Sequence, residues 1–357
     1  MRKRSQNVKE KHKEYHYEVP FVFNGFFEEK ELFDELLKTI FVLFEGKEID
    51  SFKVAVSWPI DLKDEAARFH LKHSLQGELN KVIEVKGKKR IEFYDPHAVL
   101  LINFNKRKIL LRLSPVFVYG RYSKFSRKIA QTEYFCNKCY GRGCWYCKDT
   151  GHFSEESVEQ LVGNFFKEEF RAKDIILHGA GREDLDVLML GKGRPFIMEI
   201  ISPEKRFADL SALEKKVNLG LEGDVSVNSL KFSSKSEVAP LKDNPHEKIY
   251  KALVQTQNPI DSHKLGQLVL DKEMAVLQKT PSRVEKRRAV LERKKNVTLL
   301  EAELIDSSHF NLTLRTSHGT YVKEFISGDG EKTTPSVSSL LSVPCACVQL
   351  DVLEIID

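Results

Sequence analysis

Four cysteines fall within twelve residues: Cys136, Cys139, Cys144 and Cys147. Their spacing is Cys-x2-Cys-x4-Cys-x2-Cys, with Gly141 and Gly143 between the pairs. Each Cys-x-x-Cys turn offers two thiolates on one side, and glycines permit the tight reversal that brings the second pair round. This pattern predicts a zinc site. The alternatives are four free thiols or a site shared between chains. Cys345 and Cys347 alternate along an apolar stretch and read as core residues.

The second unusual segment runs from His178 to Phe196. It holds glycines at 179, 181, 191 and 193, and the acidic run Gly181-Arg182-Glu183-Asp184-Leu185-Asp186. Read alone, an arginine beside carboxylates describes a surface ion pair. Upstream, residues 118–131 interleave Arg121, Lys124 and Arg127 with Tyr119, Tyr122 and Phe125. Cations for phosphates and rings for splayed bases suit RNA. A helix with an aromatic core face fits the same residues.

Hydrophobic periodicity supplies the frame. Glu28 to Phe44 is predicted as an amphipathic helix and Ser51 to Ser57 as a strand. Val82–Val85 and Arg90–Tyr94 are expected to form a hairpin around Gly87, and residues 98–103 and 109–113 a second strand pair. Beyond the cysteines, helices are expected at 158–170 and 207–220. Strands are expected at 196–201, 225–232, 248–256, 278–280, 288–301 and 310–316, with a short element at 263–270. The fold class expected is α+β.

The 357 residues carry a net charge of +5, and 41% are apolar. No apolar run is long enough for a membrane span, and Met1-Arg2-Lys3-Arg4 leads into no signal-like segment. A cytoplasmic location is therefore expected. The mild excess of charge is gathered into basic clusters at 86–90, 106–112 and 283–295, as a polyanion-binding surface requires. Solvated helix faces are the competing reading.

The run Gly181-Arg182-Glu183-Asp184 resembles the Gly-Arg-x-Asp signature of pseudouridine synthases. Lys248-Ile-Tyr-Lys-Ala-Leu-Val-Gln-Thr256 looks like the second motif, with Tyr250 as its aromatic residue. Gln278 to Arg288 looks like a basic segment of one branch. Gly319-Thr-Tyr-Val-Lys-Glu-Phe-Ile-Ser-Gly-Asp329 looks like the third motif, with Lys323 as its basic residue, and 333–341 like the downstream Pro-Ser segment. In this order the set is similar to the archaeal and eukaryotic tenth pseudouridine synthase family, over nearly all of 118–357. The chain departs in having no cysteine before 136, in Lys286-Arg287-Arg288 for His-Arg-Arg, and in Glu331-Lys332-Thr333 for Gly-Arg-Thr.

The resemblance implies a mixed-sheet catalytic domain at 156–357. A THUMP-like α+β RNA-binding domain would occupy 1–130, with the cysteine element at 131–155 as a metal-binding linker. It implies an isomerase acting on the T arm of tRNA at position 54, 55 or both. No organic cofactor, membrane or obligate protein partner is expected. Asp184 would be the catalytic carboxylate, with Lys323 its cation and Tyr250 stacked on the flipped uracil. Arg182, Arg121, Lys124, Arg127, Arg283, Arg287, Arg288 and Tyr321 would contact RNA. Asp186 is the rival carboxylate. The competing reading is a non-catalytic tRNA-binding protein that keeps the scaffold.

Overall fold

The structure, a computed structural model, describes residues 17–20, 29–57, 65–133, 135–136, 138–152, 154, 156–269, 273–285 and 289–356. It divides into two compact units. The first comprises residues up to Val118 with Asn164–Ile176 and Met198–Asp209, and the second the remainder from Tyr119.

The first unit carries strands β1 (Tyr17–Pro20), β2 (Ser51–Ser57), β3 (Arg90–Ile91), β4 (Ala98–Asn103) and β5 (Lys108–Leu113) in the order β1-β5-β4-β2-β3. Strand β2 runs parallel to β3 and β4, whereas β5 is antiparallel to β4 and β1. Along β4 every second residue is buried, as expected for a sheet with one face on a core. Helices α1 (Glu29–Phe44) and α2 (Glu65–Gly87) cover that face, with Leu36, Ile40, Leu79 and Ile83 packed on Phe52, Val54, Leu100 and Leu111. The strand pair expected at 98–113 is present.

The hairpin expected around Gly87 is not. Residues 82–85 lie within the last two turns of α2, and the chain leaves it through Lys88 in the left-handed region (φ 52°). The β-branched run Val82-Ile83 suggested a strand, but burial follows a four-residue step from Leu79 to Ile83 while Val85 is 70% exposed. Packing of one helical face outweighs local strand preference.

Most of the second unit is built on a ten-stranded mixed sheet. Its strands are β6 (Val116–Lys124), β7 (Asp174–Gly179), β8 (Leu188–Ile201), β9 (Val225–Ser233), β10 (Glu247–Thr256), β11 (Met274–Lys279), β12 (Glu292–Asp306), β13 (His309–Thr316), β14 (Thr333–Thr334) and β15 (Cys345–Ile356). The order is β14-β11-β12-β13-β10-β15-β8-β6-β9, with β7 beside β8. Strands β8 and β15 are parallel, and β10 lies antiparallel between β13 and β15. The first half of the segment 118–131 is thus strand and none of it is helix. Helix α3 (Val158–Glu169) and helix α4 (Leu210–Gly220) fall where periodicity placed them, and α5 (Val238–Asp243), α6 (Ser262–Leu268), α7 (Val322–Ser327) and α8 (Val337–Leu341) are short. Among the described residues no helix is long and apolar enough to cross a membrane.

Positions 83 and 85 would share a face in a strand but not in α2. Ile83→Asp is expected to unfold the first unit, because it buries an unpaired charge. Val85→Asp should change stability by no more than about 0.5 kcal/mol. Urea denaturation of both variants checks this, and equal losses would contradict the helix.

Candidate active site

The acidic run follows β7 and is held from beneath. Gly181 has φ +83°, and a Cβ there would lie 3.1 Å from Arg194 Nη1 and 3.2 Å from Lys248 Nζ. Only glycine fits that turn without strain. Glu183 points inward. Its Oε2 lies 2.8 Å from Arg194 Nε, and both side chains are 1% exposed. The Tyr122 hydroxyl donates to the same carboxylate at 2.8 Å, and Arg194 Nη1 donates to Ala180 O at 2.6 Å. Gln131 Nε2 donates to Gly181 O at 3.0 Å and to the Tyr122 hydroxyl at 2.9 Å.

Farther along, Lys124 Nζ donates to Leu185 O and to Ile129 O, each at 2.8 Å. Arg127 Nη1 donates to Asp186 O at 2.6 Å, and its guanidinium pairs with Asp351 at 2.7 Å. Asp351 Oδ1 in turn accepts from the Leu188 amide. The buried Lys124 and the part-buried Arg127 therefore satisfy carbonyls of the loop, which a segment beside a core requires.

This corrects the reading of 118–131. Arg121 is buried and donates to the carbonyls of Lys192, Gly193 and Ile355, and Lys124 is wholly buried. Neither is placed to meet RNA. Arg127 is part-buried and committed to the loop.

With Glu183 turned in, Arg182 and Asp184 turn out. The Asp184 side chain is 53% exposed. Its Oδ2 lies 3.7 Å from Lys323 Nζ and 3.8 Å from Arg283 Nη1. Lys323, in the first turn of α7, lies nearer to Asp186, at 3.1 Å. Arg283 is held by Glu324, whose Oε1 accepts from its Nε at 2.6 Å. Tyr321 caps α7, and its backbone is clamped by the buried Gln278 amide in both directions at 2.9 Å. Tyr250 reaches the same cavity from β10. Burial first, and then the charges of Glu183 and Asp184 against that of Arg194, push its phenol up to about 12. Arg287 and Arg288 lie outside the described residues.

These groups line a cavity of about 730 Å³. Five lysine or arginine side chains face it against three carboxylates, so it favours an anionic ligand. Sequence reasoning brought Asp184, Tyr250, Lys323, Arg182, Arg283 and Tyr321 to this wall. It missed Tyr122, Gln131, Glu183, Arg194 and Lys248. Only Gly179 and Gly181 hinted at these neighbours, since the side chains of Gln131, Arg194 and Lys248 pass close to them.

The four cysteines converge separately. Their sulfurs lie within 4.8 Å of one another, with Cys136–Cys144 at 3.8 Å and Cys139–Cys147 and Cys144–Cys147 at 3.7 Å. All are free thiols. A tetrahedral metal with sulfur ligands at about 2.3 Å has edges of about 3.8 Å, so the cluster fits a metal ion. The amides of Cys144 and Gly151 point at Cys147 Sγ, at 3.3 and 3.2 Å. Cys345 and Cys347 lie on β15, outside the cluster.

The family model described as "Pus10, C-terminal" matches residues 117–356. The chain is similar to the tRNA pseudouridine synthase Pus10 of Korarchaeum cryptofilum, 39% identical over 335 residues that cover 90% of this chain and 89% of that one. It is similar to the protein of the same name from Methanocaldococcus jannaschii, 37% identical over 337 residues covering 92% and 73%. Against a chain of a solved Cbf5-Nop10-Gar1 complex the identity is 16% and the TM-score 0.31, over 55% of this chain and 44% of that one. That likeness is too slight to carry an argument.

Lys248 is, with Arg194, a buried cation of the cavity wall. It lies two residues before Tyr250 on β10 and is 8% exposed. Burial, and then the charge of Arg194, lower its pKa to about 8 despite the opposing charge of Glu183. An unfolded lysine keeps its proton to about 10.4. Between these pH values the unfolded chain binds more protons, so this group's penalty on the fold is full below about 8 and relieved as pH rises. Wild type is expected to gain up to roughly 3 kcal/mol over Lys248→Met between pH 7.5 and 10. Urea midpoints at the two pH values measure this, and a constant difference would show an ordinary lysine.

Proposed function

The chain belongs to the Pus10 family of tRNA pseudouridine synthases, and from that premise we propose that it converts uridine to pseudouridine in the T arm of tRNA, at position 54, 55 or both, with Asp184 as the catalytic carboxylate. The observation that supports this reading is the position of the exposed Asp184 carboxylate in a cationic cavity, within 4 Å of both Lys323 and Arg283 and on the same wall as Tyr250.

The reaction breaks the C1′–N1 bond, turns the uracil and rejoins it through C5. It consumes no redox equivalent and no second substrate. The target uridine is stacked in a folded arm and must be flipped out to reach a carboxylate. The cavity's excess of positive charge suits the phosphates on either side of the flipped nucleotide. In this reading Asp184 acts on the base or sugar as nucleophile. Lys323 and Arg283 set two positive charges within 4 Å of its Oδ2. Tyr250 stays a neutral phenol at physiological pH, suited to stacking on the uracil. Such a contact is worth roughly 1–3 kcal/mol.

Asp186 serves a different purpose in this reading. It takes the shorter contact with Lys323 and so orients that cation. Arg182 points out of the loop, where it meets the phosphates of the flipped strand. The first unit acts as the THUMP-like RNA-binding module, and the enzyme works in the cytoplasm. The cysteine cluster binds zinc, which ties the two Cys-x-x-Cys turns together and takes no part in the isomerisation.

Asp184→Ala is expected to lower turnover by at least roughly 10³-fold, with tRNA affinity little changed. Asp186→Asn should retain measurable turnover. Carbodiimide-dependent primer-extension stops on unmodified tRNA transcript report both, and wild-type turnover by Asp184→Ala would overturn the assignment. For the cluster, elemental analysis should find one zinc per chain, lost in Cys147→Ser with a fall in thermal stability. A purified wild-type chain that neither carries nor takes up zinc would contradict it.

A further inference from the structure

The cysteine module turns its aromatic residues outward. Cys136, Cys139 and Cys147 are buried, while Trp145 is 84% exposed, Tyr140 67% and Tyr146 48%. Large rings are the usual means of building a core, and a cluster of them left in water marks an interaction surface. Trp145 and Tyr146 meet edge to face, with ring centroids 5.6 Å apart. Lys138 Nζ lies 5.6 Å from the Tyr146 ring centre. Arg142 and Lys148 are exposed on the same short module, and Asp149 is the one exposed carboxylate among its described residues 138–150.

Rings with cations between them, and little negative charge, are what a single strand of nucleic acid needs: bases stack on the rings and phosphates meet the cations. A protein partner would be served by apolar surface without this charge bias. The module belongs to the same compact unit as the Asp184 cavity. In the segment 118–131, whose composition had suggested this role, Arg121, Tyr122 and Lys124 are buried.

We propose that the exposed face formed by Trp145 and Tyr146, with Lys138 and Lys148, is a stacking platform for unpaired nucleotides of the substrate RNA. The inference rests on tRNA as the substrate. The platform reads no base edges, so it tolerates sequence and selects for unstacked bases.

The chain has two tryptophans, Trp58 and Trp145, so Trp58→Phe leaves one reporter. In that background, unmodified tRNA transcript should quench Trp145 fluorescence, and a fully paired RNA duplex should not. Trp145→Ala should raise KM for tRNA about tenfold with kcat unchanged. Trp145→Phe should keep most of the affinity, and zinc content should match wild type in both. Absence of quenching by bound tRNA, or KM within twofold of wild type for Trp145→Ala, would overturn the platform. Asp184→Ala should bind tRNA and quench as the parent does. Failure of the platform leaves wild-type binding and turnover intact. Failure of the tRNA reading abolishes them in the wild-type chain itself.

Discussion

The site depends on the buried ion pair between Glu183 and Arg194. Taking two charges out of water costs several kcal/mol each, and mutual attraction repays it only when the remaining polar atoms are also satisfied. Here the Tyr122 hydroxyl completes the carboxylate, and the carbonyl of Ala180 accepts from the guanidinium. The pair therefore adds little net stability, but breaking it would leave a buried charge alone at a cost of about 3–5 kcal/mol. What it contributes is direction. With Glu183 fixed inward, Arg182 and Asp184 on either side of it are exposed, so a buried residue decides where Asp184 points.

The outward-facing contacts obey different rules. Asp184, Lys323 and Arg283 are 53%, 29% and 47% exposed, and the carboxylate lies 3.7 Å from Lys323 and 3.8 Å from Arg283. Pairs of that kind are worth at most about 1 kcal/mol to the fold. Their value lies in being available to an incoming anion. The division of labour is between a dry layer that sets geometry and a wet layer that meets ligand. Lys248 sits at the border, buried enough for its proton to be loosened and near enough to line the cavity.

The legibility of the sequence follows the same division. The wet layer was readable, because Asp184, Tyr250 and Lys323 lie in short motifs whose order carries information. The dry layer was not. Arg194 sits between Gly193 and Pro195 in a run that reads as a polar turn, and its partner is eleven residues away across a strand pairing. Arg121 and Lys124 were misread for a related reason. A strand that mixes cations with rings looks like an RNA surface, yet Arg121 faces carbonyls of β8 and β15 and Lys124 those of Ile129 and Leu185, and composition does not say which side of a sheet is covered. The hairpin around Gly87 failed because strand preference is local and the packing of α2 is not.

The cysteine module shows how one kind of core frees another kind of surface. A short loop has too few residues to bury an apolar interior. Four thiolates on one metal ion can hold it by bonds instead, and Gly143 lets the chain close, since a Cβ there would lie 2.7 Å from Asp149 O. Once sulfur supplies the interior, the rings are no longer needed inside. Trp145 can then stand out in water beside Tyr146, where no fold made of packed apolar side chains of that length would leave it. The exposure of these rings is thus a consequence of how the module is stabilised, and it gives the second unit an aromatic, cationic face separate from the cavity that holds Asp184.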